Sequence, residues 1–378
     1  MKKTFLHRKS SFTISALRLV GLFIFVLSAA LCLVAAQAGS FSFSTGNPDG
    51  RIATASRLPS AGKIEIETAD DFVLTENTII QGATFTGLLP SGAALSTVSE
   101  VEVEFYNVFP TDSTNPPSGK VPTRVNSPSD VDISPAASDS LSGTLTFTST
   151  LVSATFMASN SVLNGINALP TPPFTGGEGA VAGEEVTINV IFKPPITLPA
   201  GHYFFRPAVL LSSGDFFWLS TAFPLFTGDL QTWIRNETLA PDWLKVGTDI
   251  TAQGPFNASF TLSGELDADA DGVPDELDQC PNTPPDSVVN AQGCSLDQLV
   301  PCAGPASGGA WKNHGEYVST FTQTANQFAA QGLISRKEKG QLTSEAAQSD
   351  CGKGNNGNAG NGGKGHGKGK GKGHGKGT

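Results

Sequence analysis

The sequence predicts a mainly β protein: a jelly-roll-like β-sandwich, then a short acidic stretch, a small disulfide-stapled helical hairpin and a disordered tail. Three observations lead there. Between residues 39 and 265, short alternating segments are separated by Gly, Pro, Ser and Asn clusters, the pattern of strands that bury one face and solvate the other. Residues 266–296 turn to Asp, Pro and Cys without apolar periodicity, so they cannot build a core of their own. From 315 to 349 the apolar residues return at helical spacing, bracketed by Cys302 and Cys351.

Residues 1–38 read as an export signal. Lys2, Lys3, Arg8, Lys9 and Arg18 precede an apolar stretch over 19–34, and Ala36-Gln37-Ala38 matches the small-x-small pattern of a signal-peptidase site. The stretch is shorter than the roughly 20 residues a spanning helix needs. Leu31 stands before Cys32 where a lipoprotein signal wants Gly or Ala. The expectation is cleavage near Gly39, no membrane span afterwards, and a secreted or cell-surface protein.

Residues 39–265 follow as the β-sandwich. Ile64 and Ile66 alternate with Glu65 and Glu67, and Val101, Val103 and Phe105 alternate with Glu102 and Glu104. Val186, Ile188, Val190 and Phe192 form another apolar face, and further strands are expected at 78–89, 141–156, 202–211, 216–221 and 258–264. Pro170, Pro172 and Pro173 with Gly176, Gly177 and Gly179 mark a long loop. Between the signal and the tail stand 13 basic and 34 acidic residues, a balance that repels nucleic acid and suits hard cations.

The acidic stretch carries the sharpest motif. Asp267, Asp269, Asp271, Asp275 and Asp278 occupy positions 1, 3, 5, 9 and 12 of a twelve-residue loop with Gly272 at position 6. Alternate carboxylates converge on a cation if the chain curls around it, the glycine permits the sharp turn, and the Val273 carbonyl at position 7 supplies a backbone oxygen. The oxygen-only ligand set points to Ca2+. An ordinary EF-hand is excluded, because the preceding segment reads as a strand and Cys280-Pro281-Asn282-Thr283-Pro284-Pro285 cannot continue as a helix.

Four cysteines, Cys280, Cys294, Cys302 and Cys351, remain after the signal, an even number that implies two disulfides in an oxidising compartment. Spacing alone leaves all three pairings open. Residues 267–295, with the D-x-D-x-D-G loop, the Cys-Pro-Asn-Thr-Pro run and the closing Asn290-Ala291-Gln292-Gly293-Cys294, resemble a thrombospondin type 3 repeat of exported bacterial proteins. That resemblance implies calcium coordination by the five aspartates and a Cys280–Cys294 bridge, which leaves Cys302 for Cys351. Family members usually carry several tandem repeats; this sequence has one.

In residues 297–352, Tyr317, Phe321, Ala325 and Phe328 share one helical stripe. Gly332 separates it from a second helix that Ser335 and Glu338 open as a capping box. Trp311 and His314 are candidate ligand residues there, with a stapled structural cap as the plainer reading. Residues 353–378 contain six lysines, two histidines and much glycine, with no large apolar residue, and are expected to be disordered.

No nucleophile–base pair, phosphate loop or His/carboxylate metal cluster stands out, so the expectation is not an enzyme. His202 lies in an apolar run, and Asp70 and Asp71 are adjacent, so on a strand they face opposite ways. Trp218, Trp233 and Trp243 are candidate ligand-binding residues: exposed on a sandwich they would form a sugar platform, and buried they are core. The functional expectation is a non-catalytic calcium-binding protein of adhesion or matrix. The alternatives are a carbohydrate-binding module for a cell-surface or matrix polysaccharide, and a hydrolase with scattered carboxylates.

Overall fold

The computed structural model describes residues 39–114, 118–139, 143–167, 176–222, 231–284 and 287–353. The expected signal, the proline run and almost all of the lysine-rich tail lie outside them. The chain divides into two compact units: residues up to Ser287 with Ala291–Gly293 in the first, and Val288–Asn290 with residues from Cys294 onward in the second.

The first unit is two β-sheets. In chain order its strands are β1 (Ser40–Ser44), β2 (Pro48–Ala55), β3 (Ile66–Leu74), β4 (Thr78–Pro90), β5 (Val98–Val108), β6 (Pro128–Asp139), β7 (Leu145–Ala158) and β8 (Asn160–Val162). Then come β9 (Val181–Leu198), β10 (Gly201–Leu211), β11 (Phe217–Thr221), β12 (Trp233–Asn236), β13 (Leu244–Lys245), β14 (Asn257–Ala258) and β15 (Phe260–Leu266). A nine-stranded sheet runs β1-β15-β4-β11-β2-β8, with β9 also on β4, β7 on β9 and β14 on β11. A six-stranded sheet runs β13-β12-β3-β10-β5-β6.

The main core lies between the sheets because the alternation in each strand sends one apolar set inward. Phe85, Val186, Ile188, Val190, Trp218 and Phe260 from the larger sheet pack with Phe72, Val101, Val103, Phe105 and Phe205 from the smaller. Phe205 stacks on Phe260 with ring centroids 5.1 Å apart and meets Trp218 edge-on at 5.8 Å. Edge-to-face and offset contacts of this kind add to the area term.

The outer face of the smaller sheet departs from the expected solvated alternation. β3 begins at Ile66, leaving Ile64 exposed ahead of it, and Glu67 is buried rather than solvated. Trp243, from the turn after β12, closes over that face with Trp233, Tyr106, Phe204 and Ala69. Beneath this cover sits a charge cluster. Arg206, fully buried on β10, reaches Glu102 at 2.6 Å, Glu67 at 3.4 Å, Glu104 at 3.6 Å and also Glu65. Arg235 binds Glu67 through both Nε and Nη2 and lies 4.3 Å over the Trp243 ring. Once covered, the alternating glutamates survive by sharing guanidiniums. Burial works against the Arg206 charge, and Glu67, Glu104 and Glu65 outweigh it, holding the guanidinium well above its usual range.

The second unit is helical: α1 (Leu296–Leu299), α2 (His314–Ala330) and α3 (Arg336–Gln348). The expected stripe of Tyr317, Phe321, Ala325 and Phe328 is the buried face of α2. Ser335 and Glu338 form the capping box of α3, with the Glu338 N–H donating to Ser335 Oγ at 3.2 Å. Gly332 takes φ +78 between the helices, where a side chain would be strained. A disulfide joins Cys302 to Cys351 across this unit. No helix among the described residues is long and apolar enough to cross a membrane.

Candidate metal centre

The site grows out of β15. After Leu266, the Asp267 N–H donates to the Asn77 carbonyl at 3.0 Å, and the Asp275 N–H returns to the Leu266 carbonyl at 3.0 Å, closing the loop on itself. Gly272 (φ +90) and Ala270 (φ +59) both sit in the left-handed region, which turns the chain twice within six residues. The Ala270 conformation is held by its N–H on the Asp267 carbonyl at 3.2 Å.

These turns bring Asp267, Asp269 and Asp271 together, each offering a carboxylate oxygen, all within 4.8 Å of one another. Asp267 is fully buried. Its carboxylate accepts the Gly272 N–H at 3.0 Å and the Asp271 N–H at 3.3 Å. Asp269 accepts the Thr283 N–H at 2.7 Å, and Asp271 Oδ1 accepts the Val273 N–H at 2.8 Å. Burial first, and then the neighbouring carboxylates, push the Asp267 and Asp271 acids up from their ordinary value. Like charges this close are stable together only if protonated or compensated by a cation.

One atom tests the fit. Asp271 Oδ2 is buried without a hydrogen-bond partner. The neighbouring Thr283 hydroxyl has a single proton for the Cys280 carbonyl at 3.0 Å, the Gly293 carbonyl at 2.9 Å and the Asp271 carboxylate, whose acid it helps to lower. An orphaned carboxylate oxygen costs free energy unless something positive meets it. The donor set is all oxygen, so the arrangement fits a hard cation.

No protein-family model, curated protein or solved structure matches this chain.

Of the five expected aspartate ligands, three form the cluster. Asp278 stands beside it: a Cβ built on Gly293 would fall 2.0 Å from Asp278 Oδ1 and 3.1 Å from Asp271 Oδ2, so glycine there lets the closing turn approach both carboxylates. Asp278 Oδ1 accepts the Cys280 N–H at 2.7 Å. Asp275 is not among the three grouped carboxylates, and its Oδ1 accepts the Ala268 N–H at 2.7 Å. Cys280 and Cys294 are both disulfide-bonded. Sequence reasoning missed Asn77, whose carbonyl holds Asp267 and whose Nδ2 donates to the Ala268 carbonyl at 3.1 Å. It lies 191 residues from Ala268, and nothing local in the sequence marks it.

The candidate sugar platform is a correction. Trp218, Trp233 and Trp243 are all fully buried, Trp218 in the core between the sheets and the other two under the cover of the smaller sheet. Trp311 is likewise buried, its Nε1 donating to the Pro301 carbonyl at 2.9 Å. The His314 ring nitrogens lie 2.7 Å and 3.0 Å from the Cys351 and Ala347 carbonyls, so the ring ties the end of α3 to the start of α2. His202 is held by Asp71 at 3.0 Å, whereas the adjacent Asp70 carboxylate accepts from the Thr232 hydroxyl at 3.1 Å and from the Ala258 N–H. The Asp71 N–H also donates to Asp70 Oδ1 at 2.8 Å, and burial and then the Asp71 charge push the Asp70 acid well up.

Proposed function

We propose that this chain is a non-catalytic, exported calcium-binding protein, secreted or held at the cell surface, acting in adhesion or matrix. Its two-sheet body is read as a jelly-roll-like sandwich and its acidic loop as a single repeat of the thrombospondin type 3 kind. The observation that carries the reading is the convergence of Asp267, Asp269 and Asp271, with an unpartnered buried oxygen on Asp271. Two disulfides in one chain support an oxidising, extracellular-type environment.

Asp267, Asp269 and Asp271 would hold the ion, with Asp278 next in line and the Val273 carbonyl as the backbone ligand. Bound calcium supplies charge neutralisation and cross-links the loop; no bond is made or broken. Calcium suits this set better than magnesium, which demands a compact octahedron at about 2.1 Å and keeps its waters.

Calorimetry on the exported protein with calcium in the range of about 0.1–1 mM, typical of extracellular modules, tests the reading. Asp271→Ala should weaken binding by about tenfold or more, since it removes one of three convergent carboxylates. Glu276→Ala, outside the ligand set, should leave the affinity within about twofold. Equal losses, or no calcium heat in the wild type, would reduce the loop to an acidic connector.

A further inference from the structure

The two sheets treat their edges differently. The smaller sheet ends in β6, which carries Pro128, Asp130, Asp132, Pro135 and Asp139 along twelve residues. Proline and charge are the usual devices that stop an edge strand from pairing with another chain. In the larger sheet β1 and β8 are blunted by length, at five and three residues. β7 has neither protection. It runs for 14 residues without a charge, a proline or a glycine, and among the described residues it pairs only with β9.

Its first half is a regular ladder, from Leu145 opposite Phe192 to Leu151 opposite Val186; bulges interrupt the register beyond Leu151. A bulge ends productive pairing on an edge, so the open template is the seven residues Leu145-Thr146-Phe147-Thr148-Ser149-Thr150-Leu151. This segment reads nearly the same in both directions about Thr148. Set antiparallel to itself, it places Leu145 on Leu151, Thr146 on Thr150 and Thr148 on Thr148, with Phe147 on Ser149 as the one mismatch. Thr146, Thr148 and Thr150 are exposed, while Leu145 is buried and Phe147 and Ser149 are half-buried, so a second copy would continue both the outer threonine face and the inner apolar layer.

We propose that β7 is a homodimer interface, at which two copies of this chain pair antiparallel about a twofold axis at Thr148 and join their nine-stranded sheets edge to edge. A twofold interface requires a self-complementary patch, which the near-palindrome supplies. Charge decides the place and not the attraction: the region between signal and tail is strongly acidic, with 34 acidic against 13 basic residues, so two copies repel through charged surfaces, whereas pairing through β7 brings no like charges together. Cross-strand threonine pairs and the added ladder hydrogen bonds provide the attraction.

Sedimentation velocity on the exported protein, over a concentration series, reads the dimer. Thr146→Lys with Thr150→Lys puts two Lys–Lys contacts across the axis and should weaken association about tenfold or more. Thr146→Lys with Thr150→Glu, in the same chain, turns both contacts into Lys–Glu pairs and should keep the dimer. Ser42→Lys on the exposed face of β1 should leave association unchanged. All three positions substituted here are solvent-exposed, and thermal melts confirm that each variant is folded. A wild-type protein that stays monomeric into the millimolar range overturns the proposal. So does loss of the dimer in the Lys/Glu variant, which breaks the register, or in Ser42→Lys, which moves the interface to β1.

Discussion

Replacing Arg206 by Met keeps the length of the buried stem and removes the guanidinium that four carboxylates share. Glu102 and Glu65 then lose their cationic partner among the described ion pairs, whereas Glu67 keeps Arg235 and Glu104 keeps the Tyr106 hydroxyl at 2.6 Å. Breaking a buried ion pair from one side costs about 3–5 kcal/mol, and because Glu65 and Glu102 are only half-buried the loss here should lie at the lower end, about 3 kcal/mol. A unit of this size unfolds in urea with a slope of about 2–3 kcal/mol/M, so the midpoint should fall by about 1–2 M at neutral pH. The sign of the pH dependence follows from the individual carboxyls. Burial would raise Glu67, but Arg206 and Arg235 hold it below its ordinary 4.5, so its stabilisation is present above that value and lost as pH falls through the folded value. Burial outweighs Arg206 at Glu65 and Glu102, whose acids are raised. Their contribution in the wild type runs the other way: it is present below 4.5 and lost as pH rises through the folded values. Without Arg206 the lowering influence on Glu65, Glu67 and Glu102 is gone, so acid neutralises the orphaned groups in the variant first. The difference between wild type and Arg206→Met should therefore shrink between pH 7 and about pH 4. Urea titrations at several pH values measure it. A loss that stays constant across that range would mean that Arg206 acts through its packing, and the charge-sharing account would fall.

Two further outcomes follow from the site and the hairpin. Gly293→Ala places a Cβ 2.0 Å from Asp278 Oδ1 at φ +74, so it should weaken calcium binding about as much as Asp271→Ala, measured by the same calorimetry, with the β core intact by circular dichroism. The Cys302–Cys351 bridge spans 49 residues and should contribute about 4 kcal/mol on the chain-entropy model; replacing both cysteines by Ala should lower the helical melting transition and leave the β transition in place.

The helical unit was legible in the sequence because its signals are local. Ser335 and Glu338 cap within one turn, and the α2 stripe needs only a period of 3.6. Strands β4, β10 and β11 were legible for the same reason, within a few residues at their ends. The covered outer face was not. Glu65, Glu67, Glu102 and Glu104 alternate as solvated residues do, and only tertiary packing shows that Arg206 and Arg235 neutralise them beneath Trp243. The tryptophans carry the same ambiguity, since the residue type is equally at home on a sugar platform and in a core. At the acidic cluster the aspartate spacing identified the three converging carboxylates, but spacing has no means of showing that Asp275 turns its Oδ1 to the Ala268 N–H. Asn77 and the close approach at Gly293 depend on contacts made only when the loop is folded.

Those contacts change what the acidic loop is mechanically. A connector between two bodies would be free at both ends, whereas here residues 267–284 group with the β unit. Its first residues are anchored three ways: Leu266 donates to the Gly39 carbonyl at 2.6 Å, Asp267 to the Asn77 carbonyl, and Asn77 Nδ2 to the Ala268 carbonyl. Asn77 Oδ1 also accepts the Ala200 N–H at 3.1 Å, so one side chain joins the loop to the turn between β9 and β10. Ordering the loop therefore does not depend on the ion alone, and the repulsion among Asp267, Asp269 and Asp271 is partly met by main-chain N–H groups fixed in advance. An ion entering such a site spends less of its binding free energy on ordering the chain than it would on a free acidic peptide. The β unit thus acts as the scaffold that preorganises the carboxylates, and the first residue of the described chain, Gly39, is part of that scaffold.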